Sequence, residues 1–378
     1  MRRALLLLVF LFCVISLWAA DDDRSRTPPD VDLNRITLPQ GFHISIFAKV
    51  PKARFMTFSP GGVLLVTATS EGKVVALPDS NHSGKAERAV TLAEDLNAPH
   101  GIAFHEGKLY VGDTNAVLRY DWNESQLKVS NQVSIAKLSP SGMHFTRTLL
   151  FQGGKLYVSI GSDCNVCIEK DPERAAVIEM NPDGSGRRVF AQGLRNSVGL
   201  AINPKTNTIW GTDNGRDWLG DNLPPDKVNE LKSGGDYGWP YCYAQRKVDP
   251  EHEAEGKLRC PSTIPPKLEM QAHSAPLGIT FYEGKMFPPE YQGAVFVAMH
   301  GSWNRTVPTG YKLTWAKMGA NGEPASELQD FATGWLKPGE TRRGVWMGRP
   351  VGVITGPDGA LYVSDDYAGL IYRITYSK

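Results

Sequence analysis

One short pattern of apolar and polar positions recurs six times along the chain. In each copy a quartet of apolar and small residues leads through a turn into a β-rich run such as VLLVTAT or KLYVGD. The quartets occupy residues 55–58, 101–104, 148–151, 199–202, 278–281 and 352–355. Their starts are 46, 47, 51, 79 and 74 residues apart, and the four-stranded blades of a propeller need about 45 to 50 residues each. The pattern predicts an all-β, six-bladed β-propeller in which the two long intervals are blades with inserted loops.

Ring closure is expected from the N-terminal side of the repeats. Residues 42–48 (FHISIFA) alternate like a strand before the first quartet, and the last copy ends close to the C-terminus with GLIYRITY. An N-terminal strand would therefore complete the last blade and protect sheet edges that could otherwise pair with other chains. We assign residues 36–378 to one propeller domain. A pair of β-sandwich domains is the alternative, although it requires no six-fold recurrence.

The first twenty residues predict a secretory signal. Two arginines precede an apolar run over residues 4–20, and three aspartates follow it. We assign residues 1–20 to the signal peptide and 21–35 to an N-terminal extension. Cleavage after Ala20 leaves Trp18 where a small residue is preferred, so a retained membrane anchor stays the alternative. In both cases the propeller lies outside the cytoplasm, secreted or periplasmic. If the signal is cleaved, the mature form has no membrane span.

Charge and cysteine content narrow the function further. A net charge of +1 gives no footprint for nucleic acid, while 38 glycines and 26 prolines indicate many tight turns. Outside the signal the chain has four cysteines, an even number that favours two disulfides in an oxidising compartment. Of the three possible pairings we favour Cys164–Cys167 with Cys242–Cys260. Ile168 stands where a c-type haem motif needs histidine, so no haem is expected.

Basic residues precede every quartet. In a propeller these positions gather at one rim of the central channel, because the first strand of each blade lines it. The residues are Arg54, His100, His144 with Arg147, Arg195 with Asn196, His273 and Arg349. The set predicts a cationic, histidine-bearing pocket for an anionic or polyoxygenated ligand. Within it we expect His100 to be a rim histidine with satisfied hydrogen bonds and Arg147 to pair with a carboxylate.

Four stretches carry a family resemblance. They are HFTRTLLF at 144–151, GLRNSVGL at 193–200, NELKSGGDYGWP at 229–240 and GRPVG at 348–352. With them the chain resembles the soluble quinoprotein sugar dehydrogenases, including the glucose/sorbosone dehydrogenase-like family. The resemblance implies pyrroloquinoline quinone (PQQ) and a calcium ion at the channel mouth, a small-molecule sugar substrate oxidised at its C1 hydroxyl or aldehyde, and an external electron acceptor.

The resemblance also implies residue roles. His144 would be the general base that takes the hydroxyl proton, and Arg195 would stabilise negative charge on the quinone oxygens, with Asn196 beside it. Arg349 would pair with a cofactor carboxylate. The loop 214–217 matches the calcium-binding segment, where the backbone carbonyls of Gly215 and Arg216 are the expected ligands.

The chain departs from the family pattern at three places. Val351 takes the second position of an Arg-x-Arg pair, and His300 or Arg305 is expected to replace a cofactor-binding lysine. Met143 precedes His144, where an acidic residue would orient the base. Two other functions stay open: a non-catalytic propeller that binds glycans or proteins, and a metal-dependent lactonase, which would need carboxylates facing the channel.

Overall fold

Short antiparallel strands joined by tight turns build the molecule, as seen in a computed structural model that describes residues 30–140 and 142–378. The predicted signal peptide 1–20 and most of the extension lie outside these residues. The N-terminal strand is β1 (Phe42–Lys49). The first blade contains β2 (Ala53–Phe58), β3 (Leu64–Ala68), β4 (Lys73–Leu77) and β5 (Val90–Ala93). The second contains β6 (Gly101–His105), β7 (Lys108–Asp113), β8 (Ala116–Asn123) and β9 (Lys128–Lys137). The third contains β10 (Arg147–Gln152), β11 (Lys155–Ile160), β12 (Ala176–Met180) and β13 (Arg188–Gln192).

The fourth blade carries the longest insertion. Its first three strands are β14 (Leu200–Asn203), β15 (Thr208–Asp213) and β16 (Asp226–Leu231). The insertion contains β17 (Gly235–Asp236), β18 (Cys242–Tyr243), β19 (Lys247–Val248) and α1 (Glu253–Arg259), and the blade ends with β20 (Leu268–Met270). Helix α1 was not expected from the sequence, because seven largely exposed residues give no apolar periodicity.

The last two blades complete the ring. They contain β21 (Pro276–Phe281), β22 (Val295–Met299), β23 (Lys312–Ala316) and β24 (Gln329–Ala332), followed by β25 (Pro350–Thr355), β26 (Leu361–Asp365) and β27 (Leu370–Tyr376). Single 3₁₀ turns lie at Leu33–Arg35, Thr69–Glu71, Pro250–His252, Cys260–Ser262 and Pro289–Tyr291. None of the helices among the described residues has the length and apolar character that crossing a membrane demands.

The six-bladed propeller is confirmed, and so is its closure. The six quartets lie in the innermost strands β2, β6, β10, β14, β21 and β25, except that Gly199 directly precedes β14. Each of these strands contacts the next around the ring. Strand β1 pairs antiparallel with β27 as the outermost strand of the last blade. The phenyl ring of Phe42 on β1 packs edge-on against Phe287 and Phe331 of the fifth blade, so the closing strand also joins the core between two blades.

The glycine that begins four of the quartets has a packing reason. Gly101, Gly199, Gly278 and Gly352 each face the backbone of the next inner strand. A Cβ atom on Gly278, for example, would lie 2.6 Å from the carbonyl oxygen of Val351. Any side chain there would force neighbouring blades apart, so the small residues in the pattern set the spacing of the ring.

Hydroxyl groups on the second strands bind neighbouring blades together. Thr67 Oγ1 donates to the carbonyl of His100 at 2.9 Å, and Thr212 Oγ1 donates to that of Leu277 at 2.8 Å. Ser364 Oγ donates to the carbonyl of Arg54 across the closing joint. These bonds fix the backbone just where each inner strand enters the channel, and the rim residues stand at these entries.

Candidate active site

A cavity of about 470 Å³ opens at the rim where the inner strands begin. Its deeper wall contains partly or fully buried polar residues, and its outer edge contains exposed apolar ones. The lining residues include His144, Arg195, Asn196, Asn214, Asp217, Asp226, Trp218, Trp303 and Asn304. Cavities of this size hold small organic ligands and cofactors.

The imidazole of His144 is held in one tautomer. Its Nδ1 lies 2.8 Å from the carbonyl oxygen of Ser162 and 3.0 Å from the Ser162 hydroxyl. A carbonyl can only accept, so Nδ1 carries the proton and Nε2 is the nitrogen that can take one up. Burial, followed by the positive charge of Arg195, lowers the pKa of His144 to about 3, so the ring is neutral at neutral pH.

Two buried guanidinium groups fix the loop that presents His144. Arg147 donates to the carbonyls of Ser139, His144 and Thr146, at 2.8 to 3.1 Å. Arg174 donates to the carbonyls of Gly161 and Pro140. The expected carboxylate partner of Arg147 is not found among the described residues. A fully buried arginine instead satisfies a loop whose carbonyls would otherwise lack donors.

Arg195 lies beside the base, and its guanidinium donates to four oxygen atoms of the protein. Its Nη2 donates to Asp217 Oδ2 at 2.9 Å and its Nη1 to the carbonyl of Gly215 at 2.8 Å. Its Nε and Nη2 donate to the carbonyl and the side-chain oxygen of Asn165, at 3.0 and 2.9 Å. Its own carbonyl accepts from the amide of Ser162, the residue that orients His144. The base and the cation are therefore parts of one hydrogen-bonded unit.

The short disulfide loop supplies much of this support. Both predicted disulfides, Cys164–Cys167 and Cys242–Cys260, are confirmed. Asn165 lies inside the first. Besides binding Arg195, its side-chain oxygen accepts from the amide of Asp217 at 2.7 Å, and its backbone carbonyl accepts from the indole of Trp239 at 3.2 Å.

Buried aspartates position the neighbouring backbone. Asp213 accepts from the amide of Asn196 at 2.8 Å, and Asp365 accepts from that of Arg349 at 2.9 Å. Asp226 accepts from the amides of Gly215 and Ala275 at 2.8 and 3.0 Å. Burial raises the pKa of Asp226 to about 7 and that of Asp365 to about 6. Two of these residues end the second strand of a blade, in the runs TIWGTD and ALYVSDD, so their recurrence was visible in the sequence.

Asn196 faces the base across a glycine. A Cβ atom on Gly161 would lie 2.6 Å from both Asn196 Oδ1 and His144 Cβ. The amide side chain and the imidazole therefore share one wall of the cavity.

A second cationic group adjoins this cavity. Asp366 accepts from Arg54 Nη1 at 2.5 Å and lies 2.8 Å from His300 Nε2. Arg349 donates to the carbonyls of His300 and Gly301 at 3.1 and 2.8 Å. Burial, then Arg349, lowers the pKa of His300 to about 4. Burial raises the pKa of Asp366, but His300 and Arg54 outweigh that effect and hold it well below the ordinary value. The group therefore contains a neutral histidine and two arginines around Asp366, with the buried Asp365 next to it.

The two groups are joined by backbone pairing. The amide of His300 donates to the carbonyl of Ala275, a residue of the cavity wall. His100 is fully buried nearby, with Nδ1 3.4 Å from the hydroxyl of Thr148. The satisfied histidine that the sequence suggested is not what the structure shows, because His100 Nε2 is buried without a hydrogen-bond partner in the described part of the chain.

Three side chains at positions named from the sequence lie outside the cavity lining, although the role expected of Arg216 is that of its backbone carbonyl. The guanidinium of Arg305 donates to carbonyls of Asp221, Val307 and Ala272 rather than lining the cavity. That of Arg216 pairs with Asp249 at 2.9 Å and with Glu251, on the insertion of the fourth blade. Val351 is fully buried and packs with Val198 and Leu277 in one apolar cluster. These contacts are side-chain geometry that residue type and spacing alone do not specify.

In the described ranges a set of three close potential ligands occurs at Cys164, Cys167 and Glu169, and the two cysteines are disulfide-bonded. The Gly215 carbonyl, one of the two expected calcium ligands, accepts from the cationic Arg195. As arranged, that oxygen does not fit a calcium ion, because a second cation would have to approach the guanidinium.

The rim of the cavity is aromatic. The indoles of Trp218 and Trp303 are 66% and 52% exposed, with ring centroids 5.5 Å apart and planes at 85°. Each lies next to a polar residue of the wall, Asp217 and Asn304, whose side chains are joined by a hydrogen bond of 2.6 Å. The site therefore combines a neutral base, buried positive charge and a rim suited to the apolar faces of a ligand.

Comparison with known proteins places these features in a family. A family model described as TrAA12-like matches residues 36–377. An uncharacterized protein of Borreliella burgdorferi is 32% identical over 98% of this chain and 97% of its own length. A pyrroloquinoline quinone-dependent pyranose dehydrogenase of Coprinopsis cinerea is 24% identical over 90% of this chain, which spans only 54% of that relative. A solved structure of the Trichoderma reesei carbohydrate-active enzyme family AA12 superposes with a TM-score of 0.81 at 24% identity, covering 93% of this chain and 99% of the other.

Proposed function

The chain belongs to the TrAA12-like family, and from this premise we propose that it is a secreted, PQQ-dependent dehydrogenase that oxidises an aldose at its C1 hydroxyl. The observation that supports the proposal most directly is the pairing of a neutral, tautomer-fixed His144 with a buried Arg195 in one cavity. Two disulfides accord with an oxidising compartment. The matching family and the sugar dehydrogenase among the relatives agree with this chemistry.

The residues of the cavity fit an acidic, planar quinone. PQQ carries carboxylates and quinone oxygens, which seek cations and N–H donors. The wall offers Arg195 with the Asn196 amide, and the adjoining group offers Arg349 and Arg54. These residues would hold the cofactor, which when bound supplies the hydride acceptor. Calcium stays a prediction, and the roles of these residues do not depend on it.

His144 would perform the proton transfer. Its Nε2 accepts the proton of the sugar hydroxyl, and the Ser162 carbonyl stabilises the cation so formed at Nδ1–H. Ser162 thus takes the place of the acidic residue that the sequence lacks at Met143. Arg195 resists reorientation because Asp217 and Asn165 both bind its guanidinium. Its positive charge would therefore already be in place to stabilise negative charge that develops on the quinone oxygens.

Reconstitution tests the proposal. Purified protein is loaded with PQQ, with and without calcium, and dye reduction is followed with a panel of aldoses. We expect sugar-dependent turnover that falls at least about 100-fold in His144→Ala, with circular dichroism unchanged. His43→Ala, at an exposed histidine on β1, is the control and should retain full activity. Absence of turnover with every sugar, although PQQ binds, would favour a non-catalytic glycan-binding propeller instead.

A further inference from the structure

One methionine is more exposed than the others in the part of the chain that the structure describes. Met143 is 52% exposed and lines the cavity that contains His144. Met286 is partly buried, and the remaining methionines of residues 30–140 and 142–378 are at most 9% exposed. These buried residues are Met56, Met180, Met270, Met299, Met318 and Met347. A small molecule that enters the cavity therefore meets the thioether of Met143, whereas the buried thioethers are shielded from it.

The thioether of Met143 lies beside a buried cation. Its Sδ is 4.0 Å from Nη2 of Arg195. The backbone of Met143 is held in place, because its amide donates to the carbonyl of Asp163 at 3.2 Å and the next carbonyl, that of His144, accepts from Arg147. A thioether is only a weak acceptor of hydrogen bonds. The sulfur is therefore positioned next to the guanidinium but contributes little to binding it.

Hydrogen peroxide is a small, neutral oxidant for an exposed thioether. A lone pair of the sulfur attacks one peroxide oxygen, so an S–O bond forms while the O–O bond breaks. The leaving oxygen takes up the proton that the transferred oxygen loses, and it departs as water. The sulfur is oxidised and the peroxide is reduced by the same pair of electrons. The product, methionine sulfoxide, is polar where methionine was apolar, and methionine sulfoxide reductases reverse the change.

The sulfoxide oxygen would be a strong acceptor next to Arg195. Nη2 of Arg195 already donates to Asn165 and to Asp217, at 2.9 Å in both cases. A further acceptor, attached to a sulfur 4.0 Å from Nη2, competes for the same N–H groups. Its partial negative charge also faces the cation that an anionic ligand of the cavity would use. Oxidation of Met143 therefore opposes anion binding at Arg195.

We propose that Met143 is a site of reversible oxidation by hydrogen peroxide, and that its sulfoxide weakens the binding of an anionic ligand by competing for Arg195. The oxidation itself goes beyond the proposed function and does not depend on it. Only the effect on PQQ rests on the proposed function.

Peptide mass spectrometry tests the modification without any cofactor. The full chain is treated with hydrogen peroxide and digested, and the fraction of each methionine that has gained one oxygen atom is followed with time. We expect Met143 to react at least about tenfold faster than the six buried methionines. After unfolding in urea all of them should react at similar rates. Met286→Leu is the matched control and should leave the fast reaction of Met143 unchanged. A rate for Met143 no greater than that of the buried methionines would overturn the site.

Fluorescence titration of PQQ, after the peroxide has been removed, tests the consequence separately. We expect oxidation to weaken PQQ binding about tenfold in the parent and in Met286→Leu, but not in Met143→Leu. Treatment with methionine sulfoxide reductase should restore the affinity. Unchanged affinity after complete oxidation of Met143, or an equal loss in Met143→Leu, would overturn the competition for Arg195. An untreated parent that binds no PQQ would overturn the proposed function, while the peptide measurement alone still decides whether Met143 is the oxidation site.

Discussion

Removing each disulfide in turn should separate stability from cofactor binding. Cys164 and Cys167 are three residues apart, whereas Cys242 and Cys260 are 18 apart. Chain entropy favours the longer loop, so the paired Cys→Ser replacements should lower the free energy of unfolding by about 2 kcal/mol for the short loop and about 3 kcal/mol for the long one. On stability alone, the second pair is the more important.

Binding of PQQ should show the opposite order. Only the short loop contains Asn165, which holds Arg195 through two bonds and the amide of Asp217 through a third. A hydrogen bond to a charged group contributes about 1.5 to 3 kcal/mol, and about 1.4 kcal/mol is a factor of ten in affinity. Replacing Cys164 and Cys167 by serine should therefore weaken PQQ binding about tenfold or more, whereas the Cys242–Cys260 replacement should leave it within about threefold.

The assay combines urea denaturation with fluorescence titration of PQQ under conditions where every variant is folded. Asn165→Ala, with the disulfide intact, should reproduce the loss of affinity. Asn123→Ala, at an exposed turn of the second blade, is its matched control and should change neither quantity. If affinity losses simply follow stability losses across all these variants, the disulfide loop does not position Arg195 and the reasoning is refuted.

Three further predictions follow from the same structure. Burial and Arg195 lower the pKa of His144 in the folded protein, so a pH–rate profile of kcat/KM should show no acid limb near pH 6.5. Because the same pKa is lower in the folded state than in the unfolded state, the free energy of unfolding should fall as the pH falls from about 6.5 toward 3, and unfolding measured across this pH range would show it. Val351→Arg restores the family's second arginine, but it should lower the free energy of unfolding by at least about 3 kcal/mol and give no gain in PQQ affinity, because the side chain is buried. Val133→Arg, at an exposed position, is the control and should change stability little; a stable Val351→Arg variant that binds PQQ more tightly would contradict the packing. Phe42→Ala should lower the free energy of unfolding, measured by urea denaturation, by about 3 to 5 kcal/mol. His43→Ala, at the adjacent exposed residue, should change it little, and equal effects of the two variants would argue against closure through β1.

The fold was predictable because the packing of neighbouring inner strands requires small residues at recurring positions of the sequence. In four of the six blades, where the inner strand approaches the next inner strand closely, glycine starts the quartet. The closing strand was equally visible, since Phe42 begins a clear alternation. Helix α1 was missed because it is short and its buried contacts are few.

The site was predictable only in part. His144, Arg195 and Asn196 meet in one cavity because equivalent strand entries meet at one rim. The group that orients His144 is the backbone carbonyl of Ser162, and because every residue has a backbone carbonyl, the sequence does not indicate which one takes this role. Asn165 was hidden for another reason: its importance depends on a disulfide loop folding back onto a residue thirty positions away.

The position of Val351 in a motif did not predict what its side chain contacts. Its position in GRPVG suggested a lost cofactor contact, yet its side chain packs in an apolar cluster with Val198 and Leu277. The recurring aspartates were the opposite case. Asp213 and Asp365 end equivalent strands, and the repeat could have identified them as supports for the entries that follow.

A single-turnover experiment tests the central claim most directly. PQQ-loaded protein is mixed with aldose in the absence of any electron acceptor, and the absorbance of the bound cofactor is followed in the parent and in His144→Ala. The account predicts rapid, sugar-dependent reduction in the parent and a rate at least about 100-fold lower in the variant, with PQQ still bound. Equal rates in the two proteins, or no absorbance change in the parent, would contradict it.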